Sequence, residues 1–126
     1  MDEAFAEKFV AQWVADWNSH DLDAILSHYR DDVVFSSPIA IQVLGGDGVM
    51  RGKDELRRYW GTGLPLIPDL HFEVLGYYLG VDTVVIKYRN QKGGLVCEVL
   101  TFEDGLVRSG HGTYLTGSDN PAGVRG

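Results

Sequence analysis

The feature of this chain that most constrains its fold is a change in hydrophobic spacing near Leu70. Before this point, apolar residues recur at steps of three and four, which is typical of amphipathic helices. After it, apolar and polar residues alternate, as they do in half-buried strands. Helices come first and strands follow, without the alternation that parallel β-α-β units require, so the sequence predicts an α+β fold.

Three helices are predicted in the first half of the chain. The first begins near Phe5 and covers about four turns, until a polar break after Trp17 ends it. Asp21 is placed to cap a second, shorter helix, whose inner face includes Tyr29. Gly52 opens the third helix, which two prolines bring to a loop.

One strand is predicted among the helices and four after them. The first begins at Val33, where Asp31 and Asp32 end the second helix, and Pro38 breaks it. A glycine-rich turn at 45–48 follows. Later turn residues divide the rest of the chain into strands that pair as antiparallel hairpins, at about 70–79, 82–90, 95–103 and 106–115.

Length, charge and cysteine content narrow the class of protein. The 126 residues suit one domain, predicted at 1–116, with 117–126 as a flexible tail. A net charge of −7 argues against nucleic-acid binding, which needs clustered Lys and Arg. No apolar run reaches the roughly 18–20 residues of a membrane span, and the acidic N-terminus is not a signal peptide. The single cysteine suits a reducing compartment, so we expect a cytoplasmic protein.

Four segments carry a resemblance to a known family. They read WNSHDLDAI at 17–25, HYRDDVVF at 28–35, RGKDEL at 51–56 and FEDGLV at 102–107. In these segments the chain resembles SnoaL-like proteins of the nuclear transport factor 2-like superfamily, which also contains ketosteroid isomerase. The resemblance implies a cone-shaped, cystatin-like roll, in which a curved antiparallel sheet and three N-terminal helices surround a pocket.

The resemblance is specific for the fold and not for the chemistry. The superfamily contains isomerases, cyclases, hydrolases and non-catalytic binders, so activity has to be argued from the site. The resemblance implies no cofactor. It also implies a homodimer that forms through the outer face of the sheet.

Glu98 is the candidate residue that the pattern singles out. Alternation along its strand places it on one face with Val96, Leu100 and Phe102. Burial on an apolar concave surface would raise the pKa of a carboxyl, which could then act as a general acid or a neutral hydrogen-bond donor. By resemblance to ketosteroid isomerase, Glu98 matches the acidic residue whose protonated carboxyl helps to hold the substrate oxyanion.

The alternative role of Glu98 is a cross-strand ion pair, and the register of the preceding hairpin decides between the two. With an even number of loop residues, Lys87 lies directly opposite Glu98. With an odd loop at 91–93, in which Gly93 takes the left-handed conformation, Glu98 lies on the apolar face that includes Ile86. The sequence leaves both registers open.

Two other positions of the isomerase's catalytic set differ in this chain. Its general-base aspartate precedes a proline at the end of the first strand, where this sequence has Ser37. A serine without a neighbouring base abstracts no proton at neutral pH. Its oxyanion tyrosine aligns with Trp13, whose indole N–H donates a hydrogen bond but does not exchange a proton. Ketosteroid isomerisation by the known route is therefore not predicted.

His111 and Tyr88 are the candidate partners of Glu98 in acid-base chemistry. By resemblance, the SnoaL cyclases use an acid-base residue in the last strand, where His111 can stand in. A count without a gap from Gly105 places Gly112 in the pocket and His111 on the other face, and a β-bulge at one glycine would reverse this. Both placements of His111 stay open.

Aromatic residues with polar tips are candidates for the pocket wall, whereas Trp17 and Phe35 are expected mainly in the core. The predicted catalytic residues are Glu98, His111 and Tyr88. The predicted pocket-lining residues are Trp13, Tyr29, Ser37, Tyr59, Trp60, Phe72, Phe102 and Tyr114.

Two functions follow from these residues. One is an acid-base enzyme of the isomerase, cyclase or hydrolase type, acting on a small apolar substrate with a carbonyl or hydroxyl group. The other is a non-catalytic module that binds a ligand or dimerises. The expected partners are a small hydrophobic molecule and a second copy of the chain, with no nucleic acid or membrane. We expect no metal, because the four histidines lack ligand spacing, and we expect Cys97 to be a buried structural thiol.

Overall fold

The structure is a computed structural model that describes residues 1–117. The predicted tail lies outside the described residues, except for Gly117. In chain order, the elements are α1 (Glu3–Asn18), α2 (Leu22–Leu26), β1 (Tyr29–Ser36), α3 (Pro38–Leu44), β2 (Val49–Arg51), α4 (Lys53–Gly63), one turn of 3-10 helix (Leu64–Leu66), β3 (Glu73–Leu79), β4 (Thr83–Arg89), β5 (Leu95–Glu103) and β6 (Leu106–Tyr114).

The three predicted helices are present as α1, α2 and α4. Aspartates cap the first two, since the Asp2 carboxylate accepts a hydrogen bond from the N–H of Ala4 at 2.9 Å and the Asp21 carboxylate accepts one from that of Ala24 at 3.1 Å. These bonds satisfy backbone donors that a helix leaves unpaired in its first turn. Gly52 lies at the N-terminus of α4, as predicted.

The region between α2 and α4 differs from the prediction in two ways. Tyr29, Asp31 and Asp32 belong to β1 and not to the second helix. The side chain of Tyr29 is buried in the core, whereas those of both aspartates are exposed to solvent. Pro38 does not simply end a strand, because it begins a further helix, α3. Proline suits the first position of a helix because its missing N–H would have no partner there, and the Ser37 hydroxyl accepts the N–H of Ile39 at 3.2 Å.

The strands form one curved, unclosed sheet in the order β2-β1-β6-β5-β4-β3. The four predicted strands of the second half are present as β3 to β6, and each pairs with the next as an antiparallel hairpin. The prediction did not include β2, nor the parallel pairing of β1 with β6. Helices and a mixed sheet confirm the α+β fold class.

The register of the β4–β5 hairpin decides the position of Glu98. The N–H of Asn90 donates to the carbonyl of Gly94 at 2.9 Å, which leaves three residues in the loop, and Gly93 has a φ of 81°. This is the odd register, in which Ile86 lies opposite Glu98. Lys87 pairs with Cys97 instead, so the cross-strand ion pair with Glu98 does not form.

The last hairpin contains a β-bulge. Thr101 pairs with Ser109 and Phe102 pairs with Val107, so one extra residue, Arg108, lies in β6 between the two pairs. Beyond the bulge, the regular alternation of the strand turns Gly110 toward the interior. Successive residues further along β6 therefore face opposite sides of the sheet.

Gly110→Ala is predicted to destabilise the fold by about 1–3 kcal/mol, because a Cβ atom there would overpack the core. It would lie 2.7 Å and 2.8 Å from two ring carbons of Phe35. The matched control is Gly76→Ala on β3, where a Cβ atom meets nothing within 4 Å. Chemical denaturation of the two variants measures the difference, and equal free energies of unfolding would contradict this packing.

Candidate functional site

A cavity of about 440 Å³ lies between the inner face of the sheet and the helical layer. The sheet contributes its floor, α3 and α4 contribute its walls, and the segment after α4 and the β4–β5 loop surround its entrance. The exposed residues of the lining include Asp69 and Lys92, so these charges lie at the entrance. The interior is lined mainly by apolar and aromatic side chains, which suits a small organic molecule.

Glu98 lies on the cavity floor. Its cross-strand neighbours are Ile86 on β4 and Gly112 on β6, neither of which carries a polar side chain. The residue is 5% exposed, and no side chain of residues 1–117 forms an ion pair or hydrogen bond with its carboxyl group. Burial therefore raises the pKa of Glu98 to about 8, and the carboxyl is largely protonated at neutral pH.

Three tyrosines of the lining, Tyr59, Tyr88 and Tyr114, lie close enough to Glu98 to be affected by its charge. Burial raises the pKa of each phenol, and a charge on Glu98 raises it further. For Tyr59, burial raises the pKa to about 12, although a hydrogen bond to Ser37 partly offsets the effect. The three phenols therefore stay protonated near neutral pH and can donate hydrogen bonds.

Ser37 is the other polar group beside Glu98. It is buried at the start of α3, and its hydroxyl oxygen accepts hydrogen bonds from the Tyr59 hydroxyl at 3.4 Å and the N–H of Ile39 at 3.2 Å. The Tyr114 phenol also lies within hydrogen-bonding reach of Ser37. Ser37 and Glu98 both lie next to Gly112, since a Cβ atom on Gly112 would be 3.4 Å from Ser37 Oγ and 3.5 Å from Glu98 Oε1.

The structure brings most of the predicted site together. Two of the three predicted catalytic residues and five of the eight predicted wall residues line the cavity. Trp17 and Phe35, which were expected in the core, are indeed buried there and also form part of the lining. The predicted residues that line the cavity are Ser37, Tyr59, Trp60, Phe72, Tyr88, Glu98 and Tyr114.

Three predicted wall residues, Trp13, Tyr29 and Phe102, do not line the cavity. Trp13 lies behind the wall, with its ring 5.4 Å from that of Tyr88, and Tyr29 lies behind Trp60 at 5.2 Å. The Trp13 N–H and the Tyr29 hydroxyl are buried in the core and have no contact with the cavity. Phe102 is four residues beyond Glu98 along the strand, about 13 Å away, and packs against α1.

His111 is a correction to the predicted catalytic set. It is exposed on the outer face of the sheet, where it pairs with Val99. Successive residues of β6 face opposite sides of the sheet, so His111 faces outward while Gly112 faces the cavity. Its Nδ1 atom lies 2.6 Å from the hydroxyl of Ser36. His111 therefore has no access to Glu98 within this chain, whereas Tyr88 shares the cavity with it.

Sequence reasoning missed the part of the lining that comes from α3 and from the two loops at the entrance. Ile39 and Val43 on α3 line the cavity, as do residues of segment 63–70 and of the loop at 90–92. The Ser37-Pro38 pair was a usable signal, because serine at the N-cap followed by proline is typical of a helix start. The loop residues carry no pattern that distinguishes lining from solvent-exposed positions.

Cys97 also differs from its prediction, because it is half-buried on the outer sheet face. Within residues 1–117, no group of three histidine, cysteine or acidic side chains is arranged to hold a metal ion. None of the helices in this part of the chain has both the length and the apolar character that crossing a membrane requires.

Comparison with known protein families places this chain in a family. The family model described as a SnoaL-like domain matches residues 10–110. The chain belongs to the SnoaL-like family. The predicted resemblance and the cystatin-like, nuclear transport factor 2-like fold are thus confirmed.

Solved structures agree with this assignment. A SnoaL-like protein of unknown function from Burkholderia thailandensis E264 is 45% identical, with 92% of this chain and 99% of that chain covered and a TM-score of 0.86. A protein of unknown function with a cystatin-like fold from Methylobium petroleophilum PM1 is 16% identical, with 96% and 82% covered and a TM-score of 0.74. TerC, co-crystallised with polyporic acid, is 15% identical, with 88% and 92% covered and a TM-score of 0.73. The last two show the fold alone, and a comparison with curated proteins gave no match.

Glu98→Gln is predicted to gain stability relative to the wild type as the pH rises from 5 to 8.5. The pKa of Glu98 is about 8 in the folded protein against an ordinary value of 4.5. Across that interval the folded protein holds a proton that the unfolded chain has lost, so the wild type loses stability as the pH rises. Glutamine carries no charge and avoids this loss.

Denaturant titrations at several pH values measure the difference in free energy of unfolding between the two proteins. Glu7→Gln, at an exposed position on α1, is the matched control for the loss of one carboxyl group. A difference between Glu98→Gln and wild type that stays constant with pH would contradict the buried, unpaired state of Glu98.

Proposed function

We propose that this SnoaL-like protein binds a small, mostly apolar molecule that carries a carbonyl or hydroxyl oxygen, and that Glu98 donates a hydrogen bond to that oxygen. The observation that carries this proposal is a carboxyl group on the cavity floor that is 5% exposed and lacks a partner among residues 1–117. A buried polar group without a hydrogen bond costs free energy. A ligand oxygen would supply the missing partner.

The shape and lining of the cavity support a cyclic ligand. A volume of about 440 Å³ lies within the range of small-molecule pockets. Trp17, Trp60 and Phe72 present aromatic surface to it, which favours flat apolar rings. Among similar folds, TerC was co-crystallised with polyporic acid, which supports an organic ligand for this pocket.

The protonation state of Glu98 supports its role as donor. With a pKa of about 8, the carboxyl keeps its proton at neutral pH and offers it to an acceptor oxygen. Above that pH the carboxylate is an acceptor and repels a carbonyl oxygen. Asp69 and Lys92 are the other charged residues of the lining, and they lie at the entrance rather than beside Glu98.

Acid catalysis is the second candidate function, and the same observation favours it. A carboxyl that titrates near working pH can polarise a carbonyl group or protonate its oxygen as charge develops. Tyr59, Tyr88 and Tyr114 have raised pKa values, so they would assist as donors and not as bases. The cavity therefore suits activation of a carbonyl better than removal of a proton from carbon.

Two compounds of the same shape test the proposed function. We define the ketone preference as the Kd of 2-ethylnaphthalene divided by that of 2-acetylnaphthalene, measured by calorimetry. In the wild type it is predicted to fall about fivefold or more between pH 6 and pH 9.5, because one hydrogen bond of about 1 kcal/mol is lost when Glu98 ionises. The ratio cancels the effect of pH on ring binding.

Two substitutions at Glu98 serve as controls for this prediction. Glu98→Gln keeps a donor and should retain the ketone preference at both pH values. Glu98→Leu removes the donor, so its preference should already be low at pH 6 and should not change with pH. A wild-type preference that does not depend on pH would contradict the role of Glu98, and failure of both compounds to bind would contradict the ligand class.

We also propose that the protein forms a homodimer through the outer face of the sheet. Val85, Val99 and Thr101 lie on β4 and β5 with their side chains directed away from the cavity, and each is only half-buried in the single chain. A second copy packed on this face would remove their apolar surface from water. The proposal gives the outer face a role separate from that of the cavity.

Val99→Lys is predicted to convert the dimer to a monomer, because it would bury an unpaired ammonium group at the centre of the interface. Size-exclusion chromatography with light scattering measures the mass. Val81→Lys is the matched control, since Val81 is 87% exposed in the turn between β3 and β4. A dimeric Val99→Lys variant, or a monomeric wild type, would contradict this interface.

A further inference from the structure

Gly112 leaves an open space on the cavity floor between two polar groups. It lies on β6 directly opposite Glu98, and its missing Cβ atom would be 3.5 Å from Glu98 Oε1 and 3.4 Å from Ser37 Oγ. These are ordinary contact distances, so the space in front of the Cα atom is neither closed by another side chain nor too small for one atom. Both oxygens border the same gap.

Each of the two groups has a proton available for this gap. The Ser37 oxygen already accepts hydrogen bonds from Tyr59 and Ile39, so its proton remains to be donated. Without a ligand, the Tyr114 phenol lies within hydrogen-bonding reach of Ser37, and rotation about the C–O bond of Ser37 can redirect the proton to an oxygen in the gap. The Glu98 carboxyl lacks a partner among residues 1–117. Two buried donors beside one gap form a site for a single acceptor atom, because a carbonyl oxygen has two lone pairs.

We infer that Gly112 is a specificity-determining residue: because it has no side chain, one ligand oxygen can lie above its Cα atom and accept hydrogen bonds from both the Ser37 hydroxyl and the Glu98 carboxyl. This inference rests on the proposed function and assigns Ser37 as the second donor. The ligand class is thereby narrowed to molecules whose oxygen projects beyond the ring, as in an aryl ketone or aldehyde. A side chain at position 112 would occupy the place of that oxygen.

The open space at position 112 is not found at Gly110, the other glycine on the same face of β6. At Gly110, a Cβ atom would collide with the ring of Phe35, so the space there is already filled. At Gly112 the backbone does not require glycine, since its φ lies outside the left-handed region. Alanine at 112 should therefore fold normally and change only the gap.

The test uses the ketone preference at pH 6 and the melting temperature. Gly112→Ala is expected to fold with a melting temperature within a few degrees of the wild type, to bind 2-ethylnaphthalene, and to lose the ketone preference about fivefold or more. Gly76→Ala, at an open position outside the cavity, should keep it. Ser37→Ala should lower the preference about two- to tenfold, and Ser37→Thr, which retains the hydroxyl, should restore it.

The outcomes separate this inference from the function on which it rests. A wild type without a pH-dependent ketone preference overturns both. A wild type with that preference, together with an unchanged preference in Gly112→Ala or in Ser37→Ala, overturns the inference and leaves the proposed function standing. If Gly112→Ala does not fold, a crystal structure of the wild type with 2-acetylnaphthalene decides. The ketone oxygen must lie within 3.5 Å of Ser37 Oγ and of a Glu98 carboxyl oxygen, and any other position overturns the inference.

Discussion

The hydrogen bonds that close the β4–β5 turn decide which face of the sheet carries Glu98. The Asn90 side chain accepts the N–H groups of Lys92 and Gly94, at 3.0 Å and 2.9 Å, and Gly93 adopts a positive φ that other residues rarely take. A shift of the register by one residue would turn every side chain of β5 to the opposite face. Glu98 would then face Lys87 and not the cavity.

The electrostatics of the cavity follow from that register. Ile86 and Gly112 flank Glu98 in the sheet, and no side chain of residues 1–117 forms an ion pair or hydrogen bond with its carboxyl, so burial raises its pKa. A charge at this point raises the pKa values of the tyrosines around it, so the group behaves as one polar centre in an apolar cavity. Burial in the fold thus keeps the Glu98 carboxyl neutral and able to donate a hydrogen bond at neutral pH.

The sequence predicted regular elements better than it predicted the cavity. Periodicity and turn residues located β3 to β6 and the helices that begin after Asp2 and Asp21, because these patterns reflect local burial and capping. The face occupied by Glu98 depended on the parity of a loop, and the lining by Ile39 depended on how α3 packs. Phe102 was placed in the wall because alternation identifies the inner face but not the depth along it. Trp13 was placed there because its ring has a polar tip, a property that does not distinguish the cavity wall from the core.

The polar floor of the cavity is assembled from the sheet and from the start of α3, whereas its entrance is made of loops. Glu98 and Gly112 lie in the central strands β5 and β6, and their relative position is fixed by backbone pairing. Sites on such elements hold their geometry more closely than sites on loops. Changes at the entrance, for example at Lys92 or Asp69, would alter which molecules enter without moving the donors. Under the proposed function, the oxygen of a ligand and the rest of its structure would therefore be selected by separate parts of the fold.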